Sequence, residues 1–207
     1  MNILAVDATG EVLSVALGAH ELKRAAKKHD EALLPLVERL LKKAGLKWSD
    51  LDAIAAASGP GRFTGIRIGM SFAAAAGFQL KIPALAISRL AAAAARIEEG
   101  CDRAIRRGSV PSTRRKKGIL AALPGWKDEV YSLEYRGGKE IGTAIWTAPK
   151  EWPAVREAAE KNGLTVSFAD TTAADLLPVA RAMLAARKIP PFKPFYLKPA
   201  SYERPRG

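Results

Sequence analysis

The stretch that decides the fold runs from Gly59 to Leu80, "GPGRFTGIRIGMSFAAAAGFQL", where a glycine- and proline-rich loop leads into an apolar helix. Gly65, Gly69, Ala73 and Gly77 recur every fourth residue, so they form a stripe of small side chains on one helix face. The other faces are also largely apolar, which predicts a helix that is buried on every side. Either the rest of the chain covers it completely, or a partner helix packs on the stripe.

The loop before this helix is a candidate anion site. It matches neither the P-loop pattern nor the dinucleotide-binding pattern of glycines. The first amides of a helix nevertheless attract anions, and Arg62 and Thr64 stand at this point. Asp7, at the end of an apolar strand, and Thr9, in the turn that follows, are the other two candidates for nucleotide or phosphate binding. The alternative is a purely structural loop whose glycines permit positive φ.

The segments around the loop alternate between strand and helix patterns. Residues 3–6 and 12–17 predict a β-hairpin, and Asp30 is expected to cap a helix that ends at Ala44, just before Gly45. Residues 53–57 and the "KIPALAI" segment predict strands, and Ser88 is a possible cap for another helix. This alternation predicts an α/β fold.

A second unit is predicted beyond a basic segment. Residues 1–101 form the expected first domain, residues 102–117 a basic linker or loop, and residues 118–207 a smaller second domain. In the second domain the patterns predict strands near 119–123, 130–135, 143–147 and 165–168, and helices near 151–162 and 173–187. The proline-rich end, "IPPFKPFYLKPASYERPRG", is expected to be extended.

The positive charge is concentrated in the second half of the chain. The net charge is +12, and residues 101–207 carry 20 Lys and Arg against 11 Asp and Glu. Such an excess suits an anionic partner such as RNA, although a solvated surface explains it equally well. The possible RNA-binding residues of the segment are Arg106, Arg107, Arg114, Arg115, Lys116 and Lys117.

Composition argues against several classes of protein. Cys101 is the single cysteine, so no internal disulfide forms and a cytoplasmic location is expected. The start of the chain does not have the pattern of a signal peptide, and the longest apolar runs are too short to span a membrane. His20 and His29 have no carboxylate set at zinc spacing, and no G-x-S-x-G motif occurs. We therefore expect neither a metal site nor catalytic residues.

Several stretches together resemble the bacterial TsaB (YeaZ) family. They are "ILAVDAT", "HDEALLPLVERLLKKAGLKWSDLDAIAAASGPGRFTGIRIG", "IPALAISRL" and the closing "PFYLKP". The similarity is close over residues 1–95 and weak over residues 100–190, where "GILAAL" and "DEVYSLEY" carry it.

The resemblance implies an ASKHA-type fold of two α/β lobes, as in actin, sugar kinases and Hsp70. It implies a non-catalytic subunit that binds and activates its paralogue TsaD in the threonylcarbamoylation of adenosine 37 of ANN-decoding tRNAs. TsaE is the other expected protein partner, tRNA is contacted through the complex, and a homodimer is expected when the chain is alone. ATP and metal are expected on the partner subunits, with no cofactor on this one.

In the family, the two N-terminal helices form the bundle with TsaD. The resemblance therefore assigns partner binding to the apolar side of both helices. The expected partner-binding residues are Leu33, Leu36, Val37, Leu40, Gly65, Gly69, Phe72, Ala73, Ala76 and Gly77.

The chain departs from the family pattern in places that bear on nucleotide chemistry. The first turn reads Asp7-Ala8-Thr9-Gly10 where the family usually has Asp-Thr-[Ser/Ala]-Thr, and His29-Asp30 stands where the family has a glutamate-histidine pair before the first helix. Residues 123–126, Leu-Pro-Gly-Trp, replace an Asp-Ala-Arg segment. An active ASKHA phosphotransferase would need a second acidic loop and an adenosine-binding Gly-Gly, for which only Gly137-Gly138 is available. A metallopeptidase, which would need a metal-ligand set, and a stand-alone RNA-binding protein, which charge alone supports, are two further functions to weigh.

Overall fold

A computed structural model describes residues 1–26, 28–106, 118–168 and 170–197, with the backbone alone at 99–106 and at Trp126. Nine strands and five α-helices occur in these ranges. The strands are β1 (Ile3–Asp7), β2 (Val12–Leu17), β3 (His20–Ala25), β4 (Ala53–Gly59), β5 (Ala84–Ser88), β6 (Ile119–Pro124), β7 (Val130–Arg136), β8 (Lys139–Thr147) and β9 (Thr165–Phe168). The helices are α1 (His29–Ala44), α2 (Phe63–Leu80), α3 (Arg89–Arg106), α4 (Trp152–Lys161) and α5 (Ala173–Ala185).

The first sheet has the strand order β3-β2-β1-β4-β5. The strands β1, β2 and β3 form an antiparallel meander, whereas β1, β4 and β5 run parallel to one another. All seven residues of β4, "AIAAASG", are buried, as expected for a central parallel strand that is covered on both faces. The predicted α/β class is confirmed.

Helices cover both faces of this sheet. Leu4 and Val6 of β1 belong to one apolar core with the buried side of α1 and with Ile66 of α2. On the opposite face, Ser14 accepts a hydrogen bond from the amide of Ala173, the first residue of α5, at 2.9 Å. The helix α5 packs against β1, β2 and β4 on that side.

The second sheet has the strand order β8-β7-β6-β9. Its hairpin of β7 and β8 is antiparallel, and β9 runs parallel to β6. Each predicted strand and helix of the second half is present, with boundaries within a few residues of those expected from the sequence.

The division of the chain into units differs from the prediction. The first compact unit comprises Met1–Arg89 together with Thr172–Tyr196, and the second comprises Leu90–Thr171. The predicted assignment of the last helix to the second domain is therefore wrong, because α5 packs on the first sheet. The end of the first unit is extended as predicted: no helix or strand occurs at 188–197, and the Phe195 amide donates to the Ser58 carbonyl at 2.7 Å.

Two local predictions in the first unit also need correction. The strand β3 was not expected, because its residues "HELKRA" are mostly polar and none is buried, so no apolar alternation marks it. Asp30 does not cap α1: the helix begins at His29, its N-cap position is Lys28, and no side-chain cap is present. The helix end is as predicted, with Gly45 in the left-handed region at φ 69°.

Candidate functional site

The carboxyl ends of β1, β4 and β5 meet at one edge of the first sheet. These strands are parallel neighbours and end at Asp7, Gly59 and Ser88. Open α/β sheets bind their ligands outside this edge. Of the predicted nucleotide residues, Asp7 ends β1, and Thr9 and Arg62 lie in the loops that follow β1 and β4. We therefore expect any ligand site of the first unit to lie at this edge.

The carboxylate of Asp7 is occupied by groups of the chain itself. Its Oδ1 accepts hydrogen bonds from the amide of Thr9 at 2.9 Å and from the Thr9 hydroxyl at 2.6 Å. Its Oδ2 is buried without a hydrogen-bond partner among the described residues, and the Nε of Arg89 lies 3.4 Å from it. Both charged side chains are nearly inaccessible, with 3% exposure for Asp7 and 2% for Arg89.

Arg89 also reaches the loop before α2. Its guanidinium donates to the carbonyl oxygen of Pro60 at 2.8 Å, so one buried cation links the end of β1 to that loop. The described residues contain no group of three or more His, Cys, Asp or Glu side chains that could hold a metal. Asp7 and Thr9 therefore do not fit the metal–nucleotide group of the ASKHA fold, since the carboxylate already has a cationic partner.

A small pocket of about 130 Å³ lies beside this edge. It sits at the first turns of α1 and α2, where free backbone amides favour anions. Its lining residues are Ala8, Lys28, His29, Asp30, Arg62, Thr64, Gly65 and Ile68. Of the four predicted nucleotide or phosphate residues, Arg62 and Thr64 line this pocket, whereas Asp7 and Thr9 are buried outside its lining.

His29 has a structural role that was not expected from the sequence. Its ring is buried, with Nδ1 at 3.0 Å from the Ala8 carbonyl and Nε2 at 3.2 Å from the Glu11 carbonyl. The imidazole thereby ties the turn after β1 to the first residue of α1. No local pattern reveals this contact, because the partners lie 21 and 18 residues away in the chain.

The small stripe of α2 faces the chain's own sheet. A Cβ added at Gly65 would lie 2.0 Å from the Ala8 carbonyl oxygen, and one at Gly77 would lie 3.0 Å from the Ile82 carbonyl oxygen. Gly69 and Ala73 are buried as well. The predicted assignment of these four residues to a partner interface is therefore corrected: the stripe allows α2 to lie close to β1 and to the segment before β5.

The predicted contact residues of α1 are also internal. Leu33, Leu36, Val37 and Leu40 are buried in the core of the first unit, so they are not available to a partner. On α2, Phe72 and Ala76 are half-buried against the same core; Phe72 packs on the ring of Trp48, with 6.3 Å between the ring centroids. For the buried residues the assignment failed because the apolar face of a helix is the same pattern whether it covers the chain's own sheet or a partner. For Phe72 and Ala76 it remains a prediction.

The exposed side of α2 is formed by a different set of residues, which we call the outer face. Arg67, Ser71, Ala74, Ala75 and Phe78 are exposed at helical spacing. The Phe78 side chain is 88% exposed, which is unusual for a residue of this size. The outer face therefore combines small side chains with one large exposed aromatic side chain.

The second unit provides no adenosine site at the predicted glycines. Gly137 and Gly138 form the turn between β7 and β8, at φ 56° and 73°, and the Gly138 amide donates to Glu98 Oε1 at 3.0 Å. This pair is a hairpin turn. In the preceding loop, Lys127 and Asp128 also have positive φ, 54° and 63°.

The predicted RNA-binding residues lie almost wholly outside the described residues. Arg107, Arg114, Arg115, Lys116 and Lys117 fall in 107–117, and Arg106 is described by its backbone alone. Their assignment remains a prediction from the sequence.

Known proteins resemble this chain over most of its length. The family model described as "TsaD: tRNA N6-adenosine threonylcarbamoyltransferase" matches residues 23–104. The tRNA threonylcarbamoyladenosine biosynthesis protein TsaB of Escherichia coli (strain K12) is 29% identical over 96% of this chain and 95% of its own. The solved structure of YeaZ from Pseudomonas aeruginosa aligns with a TM-score of 0.68 and 27% identity, over 95% of this chain and 99% of that one. The chain belongs to the TsaB (YeaZ) family.

The family resemblance inferred from the sequence is thereby confirmed, together with the ASKHA-type fold that it implied. Part of the chain is also similar to the transferase. The tRNA N6-adenosine threonylcarbamoyltransferase of Nitrosospira multiformis is 46% identical over 66 residues, which is 32% of this chain and 19% of that protein. Among the described residues, no helix has both the length and the apolar character needed to cross a membrane.

Proposed function

We propose that this TsaB family chain is a non-catalytic subunit that binds and activates TsaD in the threonylcarbamoylation of adenosine 37 of ANN-decoding tRNAs. Its relatives of similar length are named as tRNA threonylcarbamoyladenosine biosynthesis proteins, which supports a role in tRNA modification. A subunit that binds one conformation of TsaD more tightly than another shifts TsaD toward that conformation. TsaE, ATP and the metal belong to the other subunits of this proposed complex.

The observation that carries the proposal is the outer face of α2. Ser71, Ala74 and Ala75 leave room for a partner helix to come close, and Phe78 projects beyond them with 88% of its surface exposed. Leu34 of α1 is also 49% exposed. An aromatic side chain that is buried only on association is a typical hot spot of an interface.

A phosphotransferase is the less favoured function. Asp7 is the acid that would serve such chemistry, and it is paired with Arg89 and hydrogen-bonded to Thr9. A carboxylate in this state has no free oxygen pair for a metal-bound phosphate. Lack of ATP hydrolysis by the purified chain is the expected result, and turnover that disappears in Asp7→Ala would support the phosphotransferase instead.

The proposal is tested by the affinity of the chain for TsaD. We expect Phe78→Ala to weaken binding about 30-fold, because burying a phenylalanine side chain contributes about 2 kcal/mol. Isothermal titration calorimetry with purified TsaD measures the affinity. Ile145→Ala is the matched control, because Ile145 is an exposed apolar residue of β8 in the second unit.

The same surface is expected to form a homodimer when TsaD is absent, and sedimentation of the parent and of Phe78→Ala measures this. Unchanged TsaD affinity in a folded Phe78→Ala variant would place the interface elsewhere. Failure of the parent chain to bind TsaD at all would refute the proposed function itself.

Contact with tRNA is proposed for the basic segment of residues 106–117. Four phosphate contacts would make the slope of log affinity against log salt steeper by roughly 3 to 4 units. Replacing Arg114, Arg115, Lys116 and Lys117 with Ser should remove this contribution while leaving TsaD binding unchanged. The measurement is tRNA binding by the full complex across a salt series, with the parent beside the quadruple variant. Equal slopes for the two would mean that these residues do not contact tRNA and that their charge serves only solubility.

A further inference from the structure

We infer that the guanidinium of Arg89 takes the place of a divalent cation at Asp7, and that removing Arg89 opens a site for Mg²⁺ or Mn²⁺ at the ligand edge of the first sheet. The inference goes beyond the proposed function and does not rest on it. It concerns one buried charge pair, whose atoms are all within the first unit.

The position is the first reason. Asp7 is the last residue of β1, Pro60 follows the end of β4, and Arg89 follows the end of β5. The three residues therefore meet at the carboxyl ends of parallel neighbouring strands, where sheets of this class bind their ligands. In this chain an arginine side chain fills that place.

The atoms that Arg89 contacts are the second reason. Its Nε lies 3.4 Å from Asp7 Oδ2, an atom without a hydrogen bond among the described residues, and its guanidinium donates to the Pro60 carbonyl at 2.8 Å. A carboxylate oxygen and a backbone carbonyl are hard donors of the kind that Mg²⁺ and Mn²⁺ prefer. Two of the contacts of Arg89 are thus with oxygens of the kind that suit a divalent cation.

The charge balance is the third reason. A buried carboxylate without a positive partner is strongly unfavourable, and Asp7 is shielded from solvent. The guanidinium of Arg89 is a cation that belongs to the fold itself, 3.4 Å from Asp7 Oδ2, so it offsets the charge of Asp7 and needs no ion from solution. Removing the guanidinium leaves two oxygens and a negative charge without a cation, and a divalent ion can restore the balance.

The test is Mn²⁺ binding, followed by electron paramagnetic resonance of free Mn²⁺ during titration of the purified chain. We expect Arg89→Ser to bind one Mn²⁺ at least tenfold more tightly than the parent, because the shortened side chain frees both oxygens. The double variant Asp7→Asn with Arg89→Ser should lose this gain. A folded Arg89→Ser variant that binds Mn²⁺ no better than the parent overturns the inference. So does a parent chain that already binds Mn²⁺ through Asp7.

A thermal double-mutant cycle decides the matter where Arg89→Ser does not fold. Arg89→Met leaves the buried Asp7 carboxylate without this cation, and Asp7→Asn takes the carboxylate away from the buried guanidinium. We expect each change to lower the melting temperature by roughly 10 °C. The double variant removes both charges and should melt well above the less stable single variant. A double variant that melts no higher than that single variant, or does not fold, overturns the pairing.

The exposed pair of Arg156 and Glu160 on α4 supplies the control. Glu160→Gln should shift the melting temperature by no more than about 2 °C, because exposed ion pairs contribute little. A shift as large as that of Asp7→Asn would mean that the cycle does not report burial of the pair, and would overturn the inference.

Discussion

Gly65→Ala is the sharpest test of the direction in which the small stripe of α2 faces. The added methyl carbon would lie 2.0 Å from the carbonyl oxygen of Ala8 and 3.0 Å from the Cα of Thr9. Both atoms belong to the backbone, and the Ala8 carbonyl is also held by His29 at 3.0 Å. Relief of the clash therefore requires the start of α2 to move away from the end of β1.

The magnitude follows from the size of this clash. Overpacking a tight core site costs typically about 1–3 kcal/mol, and a contact with backbone at this distance belongs at the upper end. Alanine gains up to about 1 kcal/mol over glycine in helix propensity. We therefore expect Gly65→Ala to lose about 2 kcal/mol net, which lowers the melting temperature of a chain of this length by roughly 4–8 °C.

Gly69→Ala is the matched control, one helical turn further along the same stripe. A Cβ there would lie 3.8 Å from Val6 Cγ1 and 3.9 Å from Ala8 Cβ, which is ordinary van der Waals contact. Only the gain in helix propensity remains, so we expect a melting temperature equal to the parent's or up to about 4 °C higher. Thermal and urea denaturation of the two variants beside the parent measure the difference.

Equal stability of Gly65→Ala and Gly69→Ala would refute the close approach of α2 to β1. A second result would refute the inward direction of the stripe. If Gly69→Ala keeps the parent's melting temperature but loses TsaD binding, then the stripe contacts the partner. The outer face would then not be the interface.

Two further predictions concern the ends of secondary-structure elements. Ser14→Ala should destabilise the chain by about 1 kcal/mol, because the Ser14 hydroxyl accepts a hydrogen bond from the amide of Ala173 at the start of α5. Ser71→Ala, at an exposed position of α2, is the control, and equal urea midpoints for the two variants would contradict the cap. Replacing Lys127 by Asn and Asp128 by Gly should together stabilise the chain by about 1 kcal/mol, because both residues have positive φ, which Asn and Gly tolerate better. A lower urea midpoint would show that their side chains make contacts that outweigh the backbone gain.

The sequence by itself determined the kinds of element and their order. Alternation predicted the hairpin of β1 and β2, and the fourfold recurrence of small residues predicted α2, because these periods are local consequences of how each element buries its side chains. Gly45 marked the end of α1 for the same local reason. Polar β3 escaped prediction because pairing with β2, and not its own pattern, makes it a strand.

Only the tertiary structure decided what each buried group touches. A stripe of small residues suits a partner helix and the chain's own sheet equally well, and the distance from Gly65 to Ala8 assigned it to the sheet. The cation that pairs with Asp7 is Arg89, 82 positions later in the chain. The hydroxyl that caps α5 belongs to Ser14, 159 residues before the helix begins. Such contacts depend on where distant segments meet in space, and local periodicity carries no information about that.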